Sequence, residues 1–300
     1  MDYAIITAAN DLYINTIIDF IHCFKLDYSK LILYNLNLSF DNLQKIEILQ
    51  KQYGFLFKNF NFELYPEHVN LQKYNGLECS YAFKPIIIYN EANDLYNKNK
   101  ILIWMDSANR FNENHIVNIY NIVKIQGIYS PISAYENTIE SIELNNHKIV
   151  TLYGLTKEEH NNKLQSISAN LIGLDYNSNT GQYILNKWYQ DSLNKNIICP
   201  EGTNRNNNRQ DQTLLSIIIY LYEKNNNIKF NKCESGVSFW VKKDGPTINP
   251  NYFPFKLIQK NNGKQLAIIY CKNIGEAIKT YADRKNIDVR ELIQNYNVVN

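Results

Sequence analysis

The sequence predicts an α/β layered fold in which helices flank a mostly parallel central sheet, and three observations support this class. Tyr3–Ala8 is a short apolar run that stops at a polar loop, as a buried strand does. Tyr13–Phe24 then repeats apolar residues at helical spacing, and Lys100–Met105 is a second, strongly apolar run. Strands that alternate with helices favour parallel pairing, because each helix carries the chain back across the sheet.

Further elements follow in the same alternating order. In the first half of the chain they are a strand at Ser29–Tyr34, a helix at Asp41–Tyr53, a strand within Phe55–Phe62, and a helix at Ser80–Asn97. Pro85 would lie in the first turn of that last helix or kink it. In the second half they are a helix at His115–Gln126, a strand at Ser166–Leu174, a turn at Asn177–Gly181, and helices at Gln182–Leu193 and Asp211–Tyr222. Beyond Asn225, short strands precede two closing helices at Ile274–Ala282 and Asp288–Asn295.

The 300 residues contain no internal repeat and no long linker, which predicts one structural unit with two parts. Residues 1–224 would form the α/β core. Residues 225–300 would add a small elaboration of strands and helices packed on that core.

The composition excludes several classes of protein. Hydrophobic residues make up 45% of the chain, enough for a sizeable core, so a disordered chain is excluded. A net charge of +2 gives no reason to expect a nucleic-acid partner. No apolar run approaches the ~20 residues of a transmembrane segment. The N-terminus lacks the basic region of a signal peptide.

The five cysteines never form a CxxC pair, which disfavours a zinc site or a disulfide framework and fits a reducing compartment. We therefore expect a cytoplasmic protein, in the producing cell or in the host if the chain is viral. The sequence predicts no oligomeric state.

Three short stretches carry polar residues at places where chemistry is common. The first is Thr7-Ala8-Ala9-Asn10-Asp11-Leu12-Tyr13, where a strand ends in small and polar residues at the mouth of a helix. Ligands of open α/β sheets bind at the carboxyl ends of strands, near helix N-termini. A glycine-rich phosphate loop does not follow this strand. The alternative is a loop in which Asn10 or Asp11 simply caps the helix.

The second stretch is the apolar strand that ends in Asp106-Ser107-Ala108-Asn109. A carboxylate at a strand tip can hold Mg²⁺ or Mn²⁺, and the metal would neutralise a diphosphate. The alternative is that Asp106 caps the following turn. The third stretch is Asp211-Gln212 at the start of an apolar helix, where Asp211 as an N-cap is the simpler explanation.

Taken in order, these stretches resemble the GT-A-fold glycosyltransferases of the retaining, family-8-like group. The resemblance spans roughly Tyr3 to Tyr222, and each motif in it is short. Ala8-Ala9-Asn10-Asp11 is similar to the family's Ala-Ala-Asp-Asp-like stretch that cradles the nucleoside. Tyr81-Ala82-Phe83-Lys84 is similar to the basic helix that precedes an Asp-x-Asp strand, and Asp211-Gln212 to a later Asp-Gln that faces the sugar's reactive carbon.

The resemblance implies an enzyme of the hexosyltransferase type that moves a sugar from a nucleoside diphosphate to a hydroxyl of a glycan or glycoconjugate acceptor, with retention. UDP is the first choice of nucleotide and GDP the second. The resemblance also implies that the core of residues 1–224 binds the nucleotide sugar. It implies these roles: nucleoside binding by Thr7, Ala8, Ala9, Asn10, Asp11 and Tyr13; donor-sugar contacts by Ala169 and Asn170; catalytic roles for Lys84, Asp211 and Gln212; and binding of Mn²⁺ or Mg²⁺ by Asp106, with Asn109 as an additional oxygen ligand.

Two departures from the family pattern leave alternatives open. Ala108 replaces the second acid of Asp-x-Asp, and the last histidine is His160, whereas the family has a metal-binding histidine near its C-terminus. Glu234 or Asp244 could substitute for that histidine. The alternative function is a nucleotide-sugar-binding protein that has lost turnover. A nucleotidyltransferase is disfavoured, because its glycine-rich basic loop does not follow the first strand.

Overall fold

The structure is a computed structural model and describes residues 1–71, 81–111, 113–132, 147–162, 164–203, 208–232, 253–259, 265–271, 278 and 296–299. Its strands are β1 (Tyr3–Ala9), β2 (Leu31–Asn35), β3 (Leu56–Asn59), β4 (Ile101–Met105), β5 (Ile128–Tyr129), β6 (Leu171–Leu174), β7 (Phe253–Gln259), β8 (Gln265–Cys271) and β9 (Tyr296–Val299). Its helices are α1 (Ile14–Cys23), α2 (Phe40–Tyr53), α3 (Phe83–Asn93), α4 (Glu113–Gln126), α5 (His147–Leu152), α6 (Lys157–Asn162), α7 (Asn179–Ser192), α8 (Lys195–Ile198) and α9 (Asp211–Asn226).

A six-stranded sheet in the order β3-β2-β1-β4-β6-β5 forms the centre of the larger unit. β1 pairs in parallel with β2 and with β4, so the two apolar runs that predicted the fold are direct neighbours. β6 pairs antiparallel with both β4 and β5, and it is the one strand of this sheet that runs against the others. The predicted α/β class with a mostly parallel sheet is confirmed.

Helices cover both faces of the sheet. On one face, α3, α7 and α9 pack on a core that includes Leu102, Trp104 and Trp188. On the other face, α1, α2 and α4 pack on a core that includes Ile103 and Met105. Side chains of β4 alternate between these cores because successive residues of a strand point to opposite faces. Both faces are therefore covered, as expected for a parallel sheet.

Local signals explain where several helices begin and end. α2 ends at Gly54, whose φ of +80° is the left-handed conformation that glycine adopts without strain. α7 begins at Asn179 because Ser178 caps it, its Oγ accepting a hydrogen bond from the Gly181 N–H at 2.9 Å. The predicted turn at Asn177–Gly181 was therefore wrong in its second half.

The strand predicted at Ser166–Leu174 was too long, since β6 begins only at Leu171. The preceding residues use their backbone groups elsewhere: Ile167 forms an isolated bridge to Ile132, and the carbonyls of Ala169 and Asn170 accept hydrogen bonds from side chains of other elements. Apolar patterning does not reveal such partners, so it extended the strand too far.

The chain divides into two compact units, Met1–Ser238 and Phe239–Asn300. In the second unit, β7 pairs antiparallel with β8 and with β9. The predicted packing of residues 225–300 on the core stays a prediction. The two predicted closing helices, Ile274–Ala282 and Asp288–Asn295, lie outside the described residues except for Ile278. Over the described ranges, no helix combines the length and apolar character that crossing a membrane requires.

Candidate active site

Asp106 follows β4 at the carboxyl edge of the sheet and continues the alternation of that strand. Leu102 and Trp104 face the core beneath α3, and Asp106, two residues on, follows on the same side. The Trp104 indole Nε1–H donates a hydrogen bond to Asp106 Oδ1 at 2.7 Å. This bond fixes the orientation of the carboxylate, whose side chain remains 35% exposed.

Lys84, in the first turn of α3, joins Asp106 to Asp211. Its Nζ lies 3.2 Å from Asp106 Oδ1 and 2.9 Å from Asp211 Oδ2. It also donates a hydrogen bond to the Ala169 carbonyl at 2.8 Å and lies 5.7 Å from the centre of the Trp104 ring. Residues predicted from three separate motifs thus meet at one ammonium group.

The charges in this cluster are coupled. Burial lowers the pKa of Lys84, but the carboxylates of Asp106 and Asp211 outweigh this effect and hold the pKa above its ordinary value. Burial raises the pKa of Asp211, and Lys84 opposes that rise. With Lys84 protonated and both acids ionised, the three side chains carry a formal charge of −1. Such a cluster would repel a bare diphosphate and attract a cation.

Asp211 is the first residue of α9, and Gln210 occupies the N-cap position, so Asp211 as the N-cap was wrong. Gln210 has φ +42° and ψ −103°, a conformation that a non-glycine residue rarely adopts. The Asn208 side chain accepts a hydrogen bond from the Gln210 N–H at 2.9 Å. The Trp188 indole donates to the Asp211 carbonyl at 3.0 Å. These two contacts hold the turn that aims Asp211 at Lys84.

Gln212 points towards the segment that enters β6. Its Nε2 donates a hydrogen bond to Ser166 Oγ at 3.2 Å. One turn further along α9, Ser216 Oγ accepts from the Ile167 N–H at 2.9 Å and donates to the Gln212 carbonyl at 2.7 Å. The start of α9 is therefore hydrogen-bonded to the segment before β6, which also contains Ala169.

Asn170 and Asn109 connect that segment to the loop after β4. Asn109 Nδ2 donates to the Asn170 carbonyl at 2.6 Å, and the Asp106 N–H donates to the same carbonyl at 2.9 Å. The Asn170 side chain accepts from Ser168 Oγ at 2.7 Å. The Asn109 amide thus connects the two loops, and the residue is fully buried. Of the two predicted metal ligands, the partly exposed Asp106 is therefore the better placed.

The predicted nucleoside residues divide between the two faces of β1. Ala8 packs on the core beneath α3, the side of Lys84, whereas Ala9 packs on the opposite core. Thr7 Oγ1 and Asn10 Oδ1 are buried and have no hydrogen-bond partner within the described part of the chain. Buried polar atoms without a partner are unusual and call for an explanation, and a bound water or ligand at this strand end would provide one. Tyr13 is half-buried beside α1.

Asp11 is already engaged with the start of α2. Its Oδ1 accepts hydrogen bonds from the Ser39 N–H at 2.9 Å, the Ser39 hydroxyl at 3.0 Å and Asn42 Nδ2 at 2.9 Å. Partial burial raises the pKa of Asp11, but the bonds from Asn42 and Ser39 outweigh it and hold the pKa below its ordinary value. Asp11 thus fixes the loop after β1 against α2, which shapes the predicted nucleoside site.

The residues near Lys84 suit a divalent cation only in part. Lys84 and Trp104 both contact Oδ1 of Asp106 rather than Oδ2, and the side chain as a whole is 35% exposed. Ala108 is buried where a second acid would stand. No group of three or more His, Cys, Asp or Glu side chains comes together as a metal site among the residues that the structure describes. One carboxylate can hold Mg²⁺ when substrate phosphates complete its coordination.

Sequence reasoning missed three residues that organise this site. Trp104 orients Asp106, Gln210 sets the turn before Asp211, and Arg110 binds the backbone of the loop after β4. Only Arg110 had a visible signal: it is one of five arginines in the chain and directly follows the Asp106 motif. The other two act through local geometry that a sequence pattern does not encode.

Comparison with known proteins gives the following similarities. Residues 1–89 match a sequence family described as a protein of unknown function, DUF1647. No curated protein matches the chain in sequence. The solved structures that resemble it include several glycosyltransferases. The galactosyltransferase LgtC in complex with donor and acceptor sugar analogues is 11% identical with a TM-score of 0.41, over 72% of this chain and 70% of that chain.

Two further structures are similar at the same level. The bifunctional glycosyltransferase WbbM is 9% identical with a TM-score of 0.45, over 77% of this chain and 38% of that chain. The glycosyltransferase GlyE of Streptococcus pneumoniae TIGR4 is 11% identical with a TM-score of 0.41, over 73% of this chain and 43% of that chain.

Proposed function

We propose that this chain is a glycosyltransferase that moves a sugar from a nucleoside diphosphate to an acceptor hydroxyl. UDP is the first choice of nucleotide and GDP the second. The observation that carries the proposal is the cluster of Lys84, Asp106 and Asp211. It brings together a buried cation, a partly exposed carboxylate and a buried carboxylate at the carboxyl edge of the sheet. Ligands of open α/β sheets bind at this edge.

The nucleoside would bind at the end of β1. β1 and β4 are parallel neighbours, with Ile6 opposite Trp104, so the loops after both strands lie at the same edge. The unsatisfied Thr7 Oγ1 and Asn10 Oδ1 support a polar ligand there. The diphosphate would then extend from the β1 loop towards Asp106.

Lys84 and Asp106 would prepare the site for the leaving group. Lys84 supplies a fixed positive charge, and Asp106 Oδ2 would hold Mn²⁺ or Mg²⁺ together with the diphosphate oxygens. When bound, the metal would neutralise the negative charge that develops on the departing diphosphate. When both acids are ionised, the formal charge of −1 on the side-chain cluster supports a cation in this position, because the donor itself is an anion.

Transfer with retention needs no strong protein nucleophile. The bond from the anomeric carbon to the diphosphate oxygen breaks, and its electron pair leaves with the diphosphate. The acceptor oxygen then attacks from the same face, and its proton passes to a diphosphate oxygen. Asp211 would offset the positive charge that develops on the sugar ring. Gln212, held by Ser166, and the backbone of Ala169 and Asn170 would bound the sugar.

A second candidate is a nucleotide-sugar-binding protein without turnover. Ala108 favours this alternative, because it removes the second acid that a metal site would use. The two candidates differ in whether a bound donor is ever cleaved.

Titration calorimetry with UDP- and GDP-sugars, with and without Mn²⁺, followed by an assay for released nucleotide, tests both candidates. Binding with nucleotide release supports the transferase, and binding without release supports the alternative. If millimolar UDP and GDP neither bind nor raise the melting temperature, the nucleoside site proposed at Thr7–Asp11 is wrong.

A further inference from the structure

The loop after β4 is buried almost completely, with one exception. From Ile101 to Arg110, every residue except Asp106 is buried. Loops normally run over the surface, because their backbone N–H and C=O groups need water as a partner. A buried loop must find those partners inside the protein. In the loop from Asp106 to Asn109, both backbone groups of Asp106 and of Asn109 and the carbonyl of Ser107 have one.

Arg110 supplies the donors that this loop requires. Its Nη1 group donates hydrogen bonds to the carbonyl of Ser107 at 2.7 Å and to the carbonyl of Asn109 at 2.8 Å. The remaining bonds come from the backbone: the Asn109 N–H donates to the Asp106 carbonyl at 2.9 Å, and the Asp106 N–H donates to the Asn170 carbonyl at 2.9 Å. These bonds fix the backbone of the loop, in which Asp106 is the one residue that is not buried.

Arg110 is also fixed from the other side of the sheet. Its Nη2 lies 3.4 Å from the Thr16 carbonyl on α1. Burial lowers the pKa of its guanidinium, and nearby Cys23 and Asp19, also on α1, oppose that shift. The residue is only 8% exposed. Burying a charge has a large desolvation cost, which apolar side chains of similar volume avoid.

We infer that Arg110 is the positioning residue for Asp106. By satisfying the carbonyls of Ser107 and Asn109 within the protein, it keeps the loop buried and presents the carboxylate of Asp106 at one place beside Lys84. Arg110 does not touch the donor in this role; it acts through the backbone of the loop. The catalytic consequence rests on the proposed function, whereas the structural consequence can be measured without it.

The test uses Arg110→Met, Arg110→Lys and a matched control, Lys58→Met. Lys58 is a partly buried cation that pairs with Glu91 at 2.7 Å and Asp94 at 3.0 Å, near the opposite end of α3 from Lys84. The Lys58 substitution therefore perturbs a partly buried charge cluster away from the site. Three quantities are measured on the full chain: melting temperature, hydrogen exchange at the amides of Asp106 and Asn109, and release of nucleotide from a UDP-sugar with Mn²⁺.

We expect Arg110→Met to speed exchange at both amides and to lower kcat about 100-fold, the effect of a displacement near 1 Å at a reacting site. Lys58→Met should leave amide exchange and kcat unchanged, even if it lowers the melting temperature as much as Arg110→Met does. Arg110→Lys should recover part of each loss, because an ammonium can still donate to one of the two carbonyls.

The inference is overturned if the Arg110 variants lose stability as the control does but keep wild-type exchange at both amides. If Arg110→Met does not fold, Arg110→Lys decides by the same comparison. If the wild-type protein binds no nucleotide sugar, the proposed function fails, while the exchange measurement still decides whether Arg110 positions the loop.

Discussion

Lys84 and Asp211 form an ion pair of 2.9 Å in which both side chains are almost completely buried. They belong to α3 and α9, elements separated by more than a hundred residues, and their contact brings the start of each helix to the same point. A buried pair of this kind contributes little net stability while intact, but removing one partner leaves an uncompensated charge. The pair therefore offers a direct way to examine how the site is built.

Lys84→Met should destabilise the protein by about 3–5 kcal/mol at neutral pH, because Asp211 would remain buried without its cation. The double variant Lys84→Met/Asp211→Asn should recover much of this loss, since both charges are then absent. Urea unfolding of the two variants and of the wild-type protein measures the difference. A double variant no more stable than Lys84→Met would contradict this account.

The same variant should have an altered pH dependence of stability. In the wild-type protein the pKa of Lys84 is raised, so its contribution is fully present below its ordinary pKa of 10.5 and is lost only as pH rises through the higher folded value. In Lys84→Met, the pKa of Asp211 lies further above 3.8, so stability should rise as pH falls through that folded value. Melting curves from pH 8 to pH 4 test this, with the double variant as the control that lacks the effect.

Asp106→Asn should lower the rate of sugar transfer ~100-fold or more, the loss expected when a key electrostatic partner is removed. Melting temperature should change little, because asparagine has nearly the same volume and can still accept the bond from Trp104. Nucleotide release and thermal unfolding on the one variant provide both measurements. Near-normal transfer would mean that Asp106 only caps the turn.

Gln210→Gly should stabilise the protein by about 1 kcal/mol. The present conformation is strained for a side-chain-bearing residue, and the relief should exceed the entropy cost of a glycine. Asn227→Gly controls for the change to glycine at a positive φ, because the exposed Asn227 follows α9 with φ +52° and ψ +45°, where asparagine is well tolerated. Denaturant midpoints compare the two changes, and a larger gain at Asn227 would show that Gln210 is not strained.

Mn²⁺ should bind the protein tightly only when a nucleoside diphosphate is present. Asp106 would offer Oδ2, the carboxylate oxygen that contacts neither Lys84 nor Trp104, and the diphosphate would provide the other ligands. Calorimetry with Mn²⁺ alone, and with Mn²⁺ and UDP, makes the comparison, with Asp106→Asn as the control. Tight binding of Mn²⁺ alone would instead indicate further protein ligands, such as Glu234 or Asp244, which lie outside the described residues.

The elements that carry the fold could be predicted because their apolar runs are unambiguous. β1 and β4 are buried on both faces and read as short apolar segments, and α1 repeats its core residues at helical spacing. The meeting of Lys84, Asp106 and Asp211 followed from a family resemblance, since no local pattern relates residues so far apart in sequence.

What the sequence did not reveal depends on bonds between side chains and distant backbone. Arg110 binds two carbonyls of its own loop, and Asn109 binds a carbonyl 61 residues away. The length of β6 was overestimated for the same reason, because the carbonyls of Ala169 and Asn170 serve the site instead of a strand. Neither hydrophobic spacing nor residue propensity contains this information.

The reversed direction of β6 has a consequence for how such a site can change. In an all-parallel sheet only outgoing loops reach the carboxyl edge, but here the chain also enters β6 at the edge where it leaves β4. The residues before Leu171 and those after Met105 therefore lie side by side at this edge, although they are far apart in sequence. If the proposed function holds, substitutions in the segment before Leu171 would alter which sugar binds, while the segment after Met105 would keep Asp106 in place.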